Sequence, residues 1–346
     1  MYVRNIPYPV VAADHVATQS AQEIAQHTRS QRFNTADHSR YEILRMLPES
    51  ASFKHFTPPW DPYGYTLWQP LIARNQRMTE SHIVSIPSFL YEDMMRCHAA
   101  WITTGKIEGH ILEDIVETLK STMSGKLLAP LLDGKKQWFI RLDQMSPKDS
   151  PLGGDIPSST FADVIVKLCS SMRAYGCLQR MKQVAEENDM ELAVKLILNP
   201  WNESMDPAKE FRVFVPPPAA RRISKPTVSD FRISAISQYE WHKAFQVPYN
   251  LSLDQVADKV YVGALGLMPI LVAYIAMQLD AKVAKTLLES GFTFDVLLLE
   301  DGRLQLVEIN PFGAMSPCGA CLFNWVLDAT VLYGLDPMQF AVTVDG

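Results

Sequence analysis

The stretch Phe292 to Asn310, FTFDVLLLEDGRLQLVEIN, constrains the fold of this chain more than any other part of it. Two apolar runs flank Asp301-Gly302, a pair favoured in two-residue type I′ hairpin turns. Such a turn sets Glu300 against Arg303, Leu299 against Leu304 and, counting back, Asp295 against Glu308. Side chains alternate between faces, so Asn310 falls on the face of Glu308, one step further along. Two carboxylates placed opposite each other repel, and something must compensate them. A hard divalent cation such as Mg²⁺ suits oxygen ligands from Asp, Glu and an Asn amide, and takes its other ligands from water and nucleotide phosphates. A neighbouring Lys or Arg, or a carboxyl held protonated, meets the same need, and spacing alone does not choose between them. Asn310 to Gly313, NPFG, then makes a tight exit turn.

The 346 residues suffice for one large two-lobed unit or two domains with a substantial core. A formal net charge of -6 argues against general nucleic-acid binding, which needs a basic surface. The first residues lack the apolar run of a secretory signal. Five sparsely spread cysteines do not suggest a disulfide framework, so a reducing, cytoplasmic setting is expected. Tyr261 to Met277, YVGALGLMPILVAYIAM, carries no charge but falls at the lower edge of the roughly 20 residues that span a bilayer. Strands belonging to one site flank it, so a buried helix bent near Pro269 is favoured over a membrane span. A dimer interface is a further use for it.

Along the chain, residues 1–75 read as an N-terminal extension, with an amphipathic stretch at Arg40 to Met46 and the aromatic, proline-rich Phe56 to Trp68. Ser81 to Pro87 reads as a strand, Ser88 to Ala99 and Ile111 to Met123 as helices. Trp138 to Leu142 is a strand that enters the loop DQMSPKDSPLGGD. A single helix is expected over Thr160 to Gly176, and strands over Leu192 to Leu198, Glu210 to Val215 and Phe231 to Gln238. Interleaved strands and helices predict an α+β or mixed α/β fold.

Other residues suit a nucleotide. Arg141 ends a strand before the SPKD loop, where a fixed cation can hold a phosphate. Lys148, with Gly153 and Gly154, suits a loop that closes over phosphates. Glu210 and Arg212 alternate to one face of EFRVFV, so Arg212 can reach a phosphate while Glu210 orients it. Each alone is more often a solvated charge or an ion pair; the joint arrangement carries the weight.

Taken together, WFIRLDQMSPKDSP (138–151), LILNPW (196–201), EFRVFV (210–215), ISAISQY (233–239) and FDVLLLEDGRLQLVEINPFG (294–313) resemble the cell division cycle protein 123 family of the ATP-grasp superfamily. With a weaker match at 78–95, the likeness extends over about three-quarters of the chain. The resemblance implies an ATP-grasp fold in which two α+β subdomains clamp a nucleotide, with residues 76–200 holding the first subdomain and 201–346 the second. It implies Asp295, Glu308 and Asn310 as Mg²⁺ ligands and Arg141 in the place of a phosphate-binding lysine. Leu196, Leu198 and Trp201 look like the adenine-side hinge, and Arg212 and Gln238 lie along the phosphate path. The chain departs from the family at Arg141 and at Glu308, where an aspartate is expected. The family's internal acidic insert and acidic C-terminal tail have no counterpart in these residues. The apolar Tyr261–Met277 stands where the family has a polar helix, so the chain looks like a divergent paralogue.

Two functions follow. Members of the family act as ATP-binding assembly chaperones for translation initiation factor 2, through its γ subunit. ATP-grasp enzymes, by contrast, join a carboxylate to an amine or thiol through an acyl-phosphate. In that case Arg212 is the catalytic candidate, stabilising with Arg141 the charge that develops in transfer. Cys318-Gly-Ala-Cys321 has redox spacing but no second pair to complete a metal set. His98, His110 and His242 lack partners at metal or triad spacing.

Overall fold

The structure, a computed structural model, describes residues 1–23, 31–36, 38–46, 58–192, 194–248 and 251–345. The chain divides into two compact units, one of residues 1–76 and 204–346, the other of residues 77–203. Each carries its own sheet, so the architecture is mixed α+β with two sheet-containing subdomains. Part of the stretch 56–68 falls outside the described residues.

The chain opens with β1 (Tyr2–Pro7), α1 (Tyr8–Glu23), α2 (Arg40–Met46) and α3 (Tyr65–Gln76). The second unit follows with β2 (His82–Ile86), α4 (Leu90–Thr104), α5 (Gly109–Ser121), α6 (Met123–Leu128) and β3 (Asp133–Leu142). It closes with β4 (Ser158–Thr160), α7 (Phe161–Ser170), α8 (Met172–Glu187) and β5 (Val194–Pro200). Returning to the first unit, the chain forms β6 (Glu210–Val215), β7 (Ala235–Gln238), α9 (Leu253–Gln278), α10 (Ala281–Ser290), β8 (Phe292–Leu298) and β9 (Leu304–Pro311). Helix α11 (Ala329–Leu332) and β10 (Gln339–Val344) end it.

In the second unit, four antiparallel strands run in the order β2-β5-β3-β4. Alternation sends Val84, Ile86, Trp138, Ile140, Leu142, Val194, Leu196 and Leu198 into one core with Leu90, Met94, Leu119, Val164 and Leu168 of the helices. A fully buried Leu or Ile of this kind adds roughly 1.5–3 kcal/mol. The single helix expected over Thr160–Gly176 is two. Ser171 is extended and caps α8, accepting a bond from the Ala174 N–H at 2.9 Å, while Thr160 and Asp163 form a capping box at the start of α7. The strand expected over Phe231–Gln238 shortens to Ala235–Gln238, because Thr227 and Asp230 cap a 3₁₀ turn just before it.

In the first unit, the sheet order is β1-β10-β7-β6-β8-β9. β1 lies parallel to β10 and β10 parallel to β7, whereas β6, β7, β8 and β9 pair antiparallel. Residues 312–333 fold over one face, where Phe312, Phe323, Trp325 and Tyr333 pack with Phe214, Ala235 and Ala341. The outer edge of β9 is closed by α3: Leu306 N–H donates to Asn75 Oδ1 and Gln76 Nε2 donates to the Leu306 carbonyl, both at 2.6 Å.

The apolar segment 261–277 lies within α9, opened by a Ser252–Gln255 capping box and continuous through Pro269. Val256, Val260, Ala264, Leu267, Leu271 and Ile275 form its buried stripe, at helical spacing. Tyr274 donates to the Leu67 carbonyl at 2.8 Å, and its ring lies tilted against that of Trp68 with the centroids 5.6 Å apart. The expectation of a buried helix holds for that stripe alone, since only 33% of its most apolar window is buried. Among the described residues it is the one helix long and apolar enough to cross a membrane.

Candidate functional site

The β8–β9 hairpin reaches the expected pairing by an unexpected route. Leu299 N–H bonds the Arg303 carbonyl and Gly302 N–H bonds the Leu299 carbonyl, each at 2.9 Å, with Gly302 at φ 81°. This is a three-residue loop ending in a left-handed glycine, in place of the two-residue turn. Asp301 favours it by accepting from the Arg303 N–H at 3.0 Å. Near the loop the register is therefore offset by one, with Leu298 facing Leu304 and Val296 facing Leu306. A bulge at Val307 adds one residue, and beyond it Asp295 faces Glu308 and Thr293 faces Asn310. The bulge also turns Glu308 to the face opposite Leu306.

A polar row then crosses the sheet. Ser237 faces Arg212, Arg212 faces Asp295, and Asp295 faces Glu308. Arg212 grips Asp295 with a fork, Nε to Oδ1 at 2.8 Å and Nη2 to Oδ2 at 2.7 Å. Its Nη1 donates to the Gly319 carbonyl at 2.8 Å, and the guanidinium lies 5.2 Å from the Tyr239 ring centre. Asn310 Nδ2 donates to Asp295 Oδ2 at 3.0 Å and to Glu308 Oε1 at 3.2 Å. The three residues singled out on the hairpin thus touch one another, and Arg212 is the compensating cation for Asp295 that spacing left open. Burial opposes charge on Arg212, but Asp295 beside it holds the guanidinium protonated, well above its ordinary range. Glu210 shares the face of Arg212 by alternation and is buried.

The segment after the hairpin roofs this row. Trp325 Nε1 donates to the Cys318 carbonyl at 2.8 Å, and Asn34 Oδ1 accepts from the Cys321 N–H at 3.1 Å. Cys318 Sγ lies 3.6 Å from Thr293 Oγ1. Both thiols are buried and free. Burial raises the pKa of Cys318, and pushes Cys321 up to about 12, against the opposing pull of Arg212. Thr293 was missed from the sequence, although the same register count that pairs Asp295 with Glu308 sets it opposite Asn310. Gly319 acts through its carbonyl, which no side-chain pattern announces.

Gln238 lies one residue from Ser237 and so on the other face. Its Nε2 donates to the carbonyls of Glu240 and Lys243 at 2.8 Å, and its Oε1 accepts from Thr343 at 3.0 Å. In the second unit, Arg141 on β3 is buried on the face opposite the core, with Nε 3.3 Å from the Leu142 carbonyl. Lys148 is exposed, in a loop closed by the Gly154 N–H to the Ser150 carbonyl at 2.8 Å. Leu196 and Leu198 belong to the core of that unit, on a strand paired along both edges; Trp201 follows it, its N–H bound to the Gln137 carbonyl at 2.9 Å. His98 bonds the Cys169 carbonyl and stacks on Tyr175, as an ordinary core histidine does.

Among the described residues, no three His, Cys, Asp or Glu side chains cluster so as to hold a metal by themselves. The donor set on the hairpin is two carboxylates and an amide.

No protein-family model and no curated protein sequence matches this chain. Among solved structures, it is similar to Cdc123 from Schizosaccharomyces pombe at 18% identity and a TM-score of 0.48, covering 81% of this chain and 95% of that one. A C-terminally truncated form of the same protein gives 16% identity and a TM-score of 0.49 over the same shares. D-alanyl-alanine synthetase A from Vibrio cholerae is similar at 11% identity and a TM-score of 0.27, over 82% of this chain and 61% of that one.

Proposed function

We propose that the hairpin end of the first unit binds ATP with Mg²⁺, and that the chain is a cytoplasmic ATP-grasp protein of the cell division cycle protein 123 type. One observation carries the metal end: Asn310 reaches the carboxylates of both Asp295 and Glu308, at 3.0 and 3.2 Å, so three hard donors converge. The set fits Mg²⁺, which binds through one or two carboxylates and completes its shell with water and phosphate oxygens. Asn310 now offers nitrogen to the carboxylates; a half-turn of its amide offers Oδ1 to a cation instead. A Mg²⁺ ion held by Asp295, Glu308 and Asn310 would supply positive charge to offset the negative charge of the phosphates. Arg212, held by Asp295, keeps a fixed positive charge beside that position.

The remaining assignments rest on the sequence resemblance: Arg141, Lys148 and Trp201 as nucleotide contacts of the second unit, Glu210 and Arg212 as contacts of the first. Leu196 and Leu198 are corrected to core residues of a strand paired along both edges, and Gln238 to a structural amide on the face opposite Arg212. In this reading ATP·Mg²⁺ stabilises a surface that binds a protein partner, with the γ subunit of translation initiation factor 2 as the candidate.

Calorimetric titration with ATP, with Mg²⁺ and then with excess chelator, tests the binding claim; heat in both conditions alike, or in neither, refutes it. A pull-down of the purified γ subunit, with ATP hydrolysis followed in parallel, tests the use. ATP-dependent capture without stimulated turnover supports the chaperone reading. ADP formation stimulated by an acid and an amine together, without capture, replaces it with the acyl-phosphate ligase.

A further inference from the structure

The loop after β3, residues 143–157, is fastened along its length to the junction of α7 and α8. Asp149 takes up groups that the break at Ser171 sets free. Its Oδ1 accepts from the Ser171 hydroxyl. Its Oδ2 accepts from the Arg173 N–H at 3.0 Å, one of the first-turn amides that a helix leaves without an internal partner. Arg173 Nε donates back to the Ser146 carbonyl at 3.1 Å. The Ser170 hydroxyl donates to the Val166 carbonyl at 2.7 Å, so the hydroxyl of Ser150, 2.6 Å away, is the donor to Ser170 Oγ. Lys167 Nζ closes the far end of the loop on the Ile156 carbonyl.

Ser150, Lys167, Ser170 and Ser171 are all buried. Buried polar groups cost stability unless they are bonded, and a bonded network of them fixes one conformation. The backbone closes on itself as well. Ser150 N–H donates to the Pro147 carbonyl at 3.1 Å, and Gly154 N–H to the Ser150 carbonyl at 2.8 Å. A Cβ on Gly154 would lie 2.4 Å from the Lys148 carbonyl oxygen and 2.8 Å from that of Pro147, so only glycine lets the two stretches of backbone meet. The sequence suggested a loop that closes over phosphates; this loop is held closed by its own bonds. A site whose binding-competent form is already the populated one loses no affinity to rearrangement.

We propose that Asp149 is a positioning residue: it pins the loop to the α7–α8 junction, so that Lys148 meets phosphate oxygens from a preformed loop and not from a flap. This use of the loop rests on reading Lys148 as a phosphate contact. The pinning does not, and hydrogen exchange of the full chain without nucleotide tests it alone. The Ser150 and Gly154 amides exchange slowly in the wild type and at least about tenfold faster in Asp149→Ala. Fast exchange of both amides in the wild type overturns the proposal, whether or not ATP·Mg²⁺ slows it. Asp149 is exposed, so its replacement leaves the core of the unit intact, as circular dichroism will report. Asp149→Asn, which keeps one acceptor, shows the same change at smaller size. Calorimetry then tests the positioning. Asp149→Ala weakens ATP·Mg²⁺ binding about tenfold, the competent loop falling to about a tenth of the population. Lys148→Ala weakens it too, and Asp149→Ala added to Lys148→Ala costs nothing more, because Asp149 acts through that lysine. Equal losses with and without Lys148 overturn the positioning role and leave Asp149 a structural residue. A wild type that binds no ATP while its Gly154 amide exchanges slowly removes the nucleotide reading, and this use of the loop with it.

Discussion

Arg212 and Asp295 form an ion pair with side-chain exposures of only 8% and 0%. Removing one partner leaves the other charged and buried, which costs about 3–5 kcal/mol. Asp295→Ala and Arg212→Met are therefore each expected to lower unfolding free energy by that amount in urea titrations, so neither separates binding from folding. Glu308 makes the cleaner probe, because Asn310 bonds it while the guanidinium fork goes to Asp295. A second, half-buried carboxylate reports on acid. Arg4 and Arg32 each approach Asp328 to 2.9 Å. Burial pushes the Asp328 carboxyl up, but the bonds from Arg32 and Arg4 outweigh it and hold the group below the usual carboxylate range. A depressed folded pKa gives stability that is present above the unfolded value of about 3.9 and is lost as pH falls through the folded one. Asp328→Asn is expected to lower stability at pH 7 and to flatten the loss below about pH 4, read from urea midpoints across pH.

At the scale of elements, the hairpin is where sequence reasoning came nearest and where its error is most instructive. Pairing Asp295 with Glu308 came out of a count that assumed a two-residue turn and unbroken alternation. The real loop is one residue longer and the bulge at Val307 restores the count. The clue was present: strict alternation puts Leu304, Leu306 and Glu308 on one face, which mixes core leucines with a carboxylate. A bulge resolves that conflict by turning Glu308 away from Leu306. Gly302 at φ 81° fixes the loop, and Gly302→Ala should cost about 1–2 kcal/mol with the transition otherwise unchanged. A smaller cost, measured by denaturant unfolding, means that the loop relaxes to another turn. The break at Ser171 was equally written in the chain, since Ser170-Ser171 competes for backbone bonds as a cap.

At the scale of the molecule, the two units differ in how they use the chain. Residues 77–203 are continuous and enclose their own core, so this segment alone is expected to fold cooperatively, followed by circular dichroism in urea. A featureless, non-cooperative melt argues that its core needs the rest of the chain. The first unit needs both ends: β1 pairs with β10, and Asn75 and Gln76 close the edge of β9. Residues 1–75 could be read from sequence only as an extension, because parallel pairing between strands more than 300 residues apart leaves no local pattern. The roof over the polar row was illegible for the same reason, being built from carbonyls and loop contacts at Gly319 and Cys318. The placing of Asp295 opposite Glu308, with Asn310 beside them, was legible because the hairpin loop lets the pairing be counted.

The most direct measurement is calorimetric titration of ATP into the wild type and into Glu308→Gln, each with and without Mg²⁺. Mg²⁺-dependent binding is expected in the wild type, with its loss in Glu308→Gln and melting temperatures within about 2–4 °C of each other. Unchanged affinity in Glu308→Gln, with the fold intact, would contradict the assignment of the site.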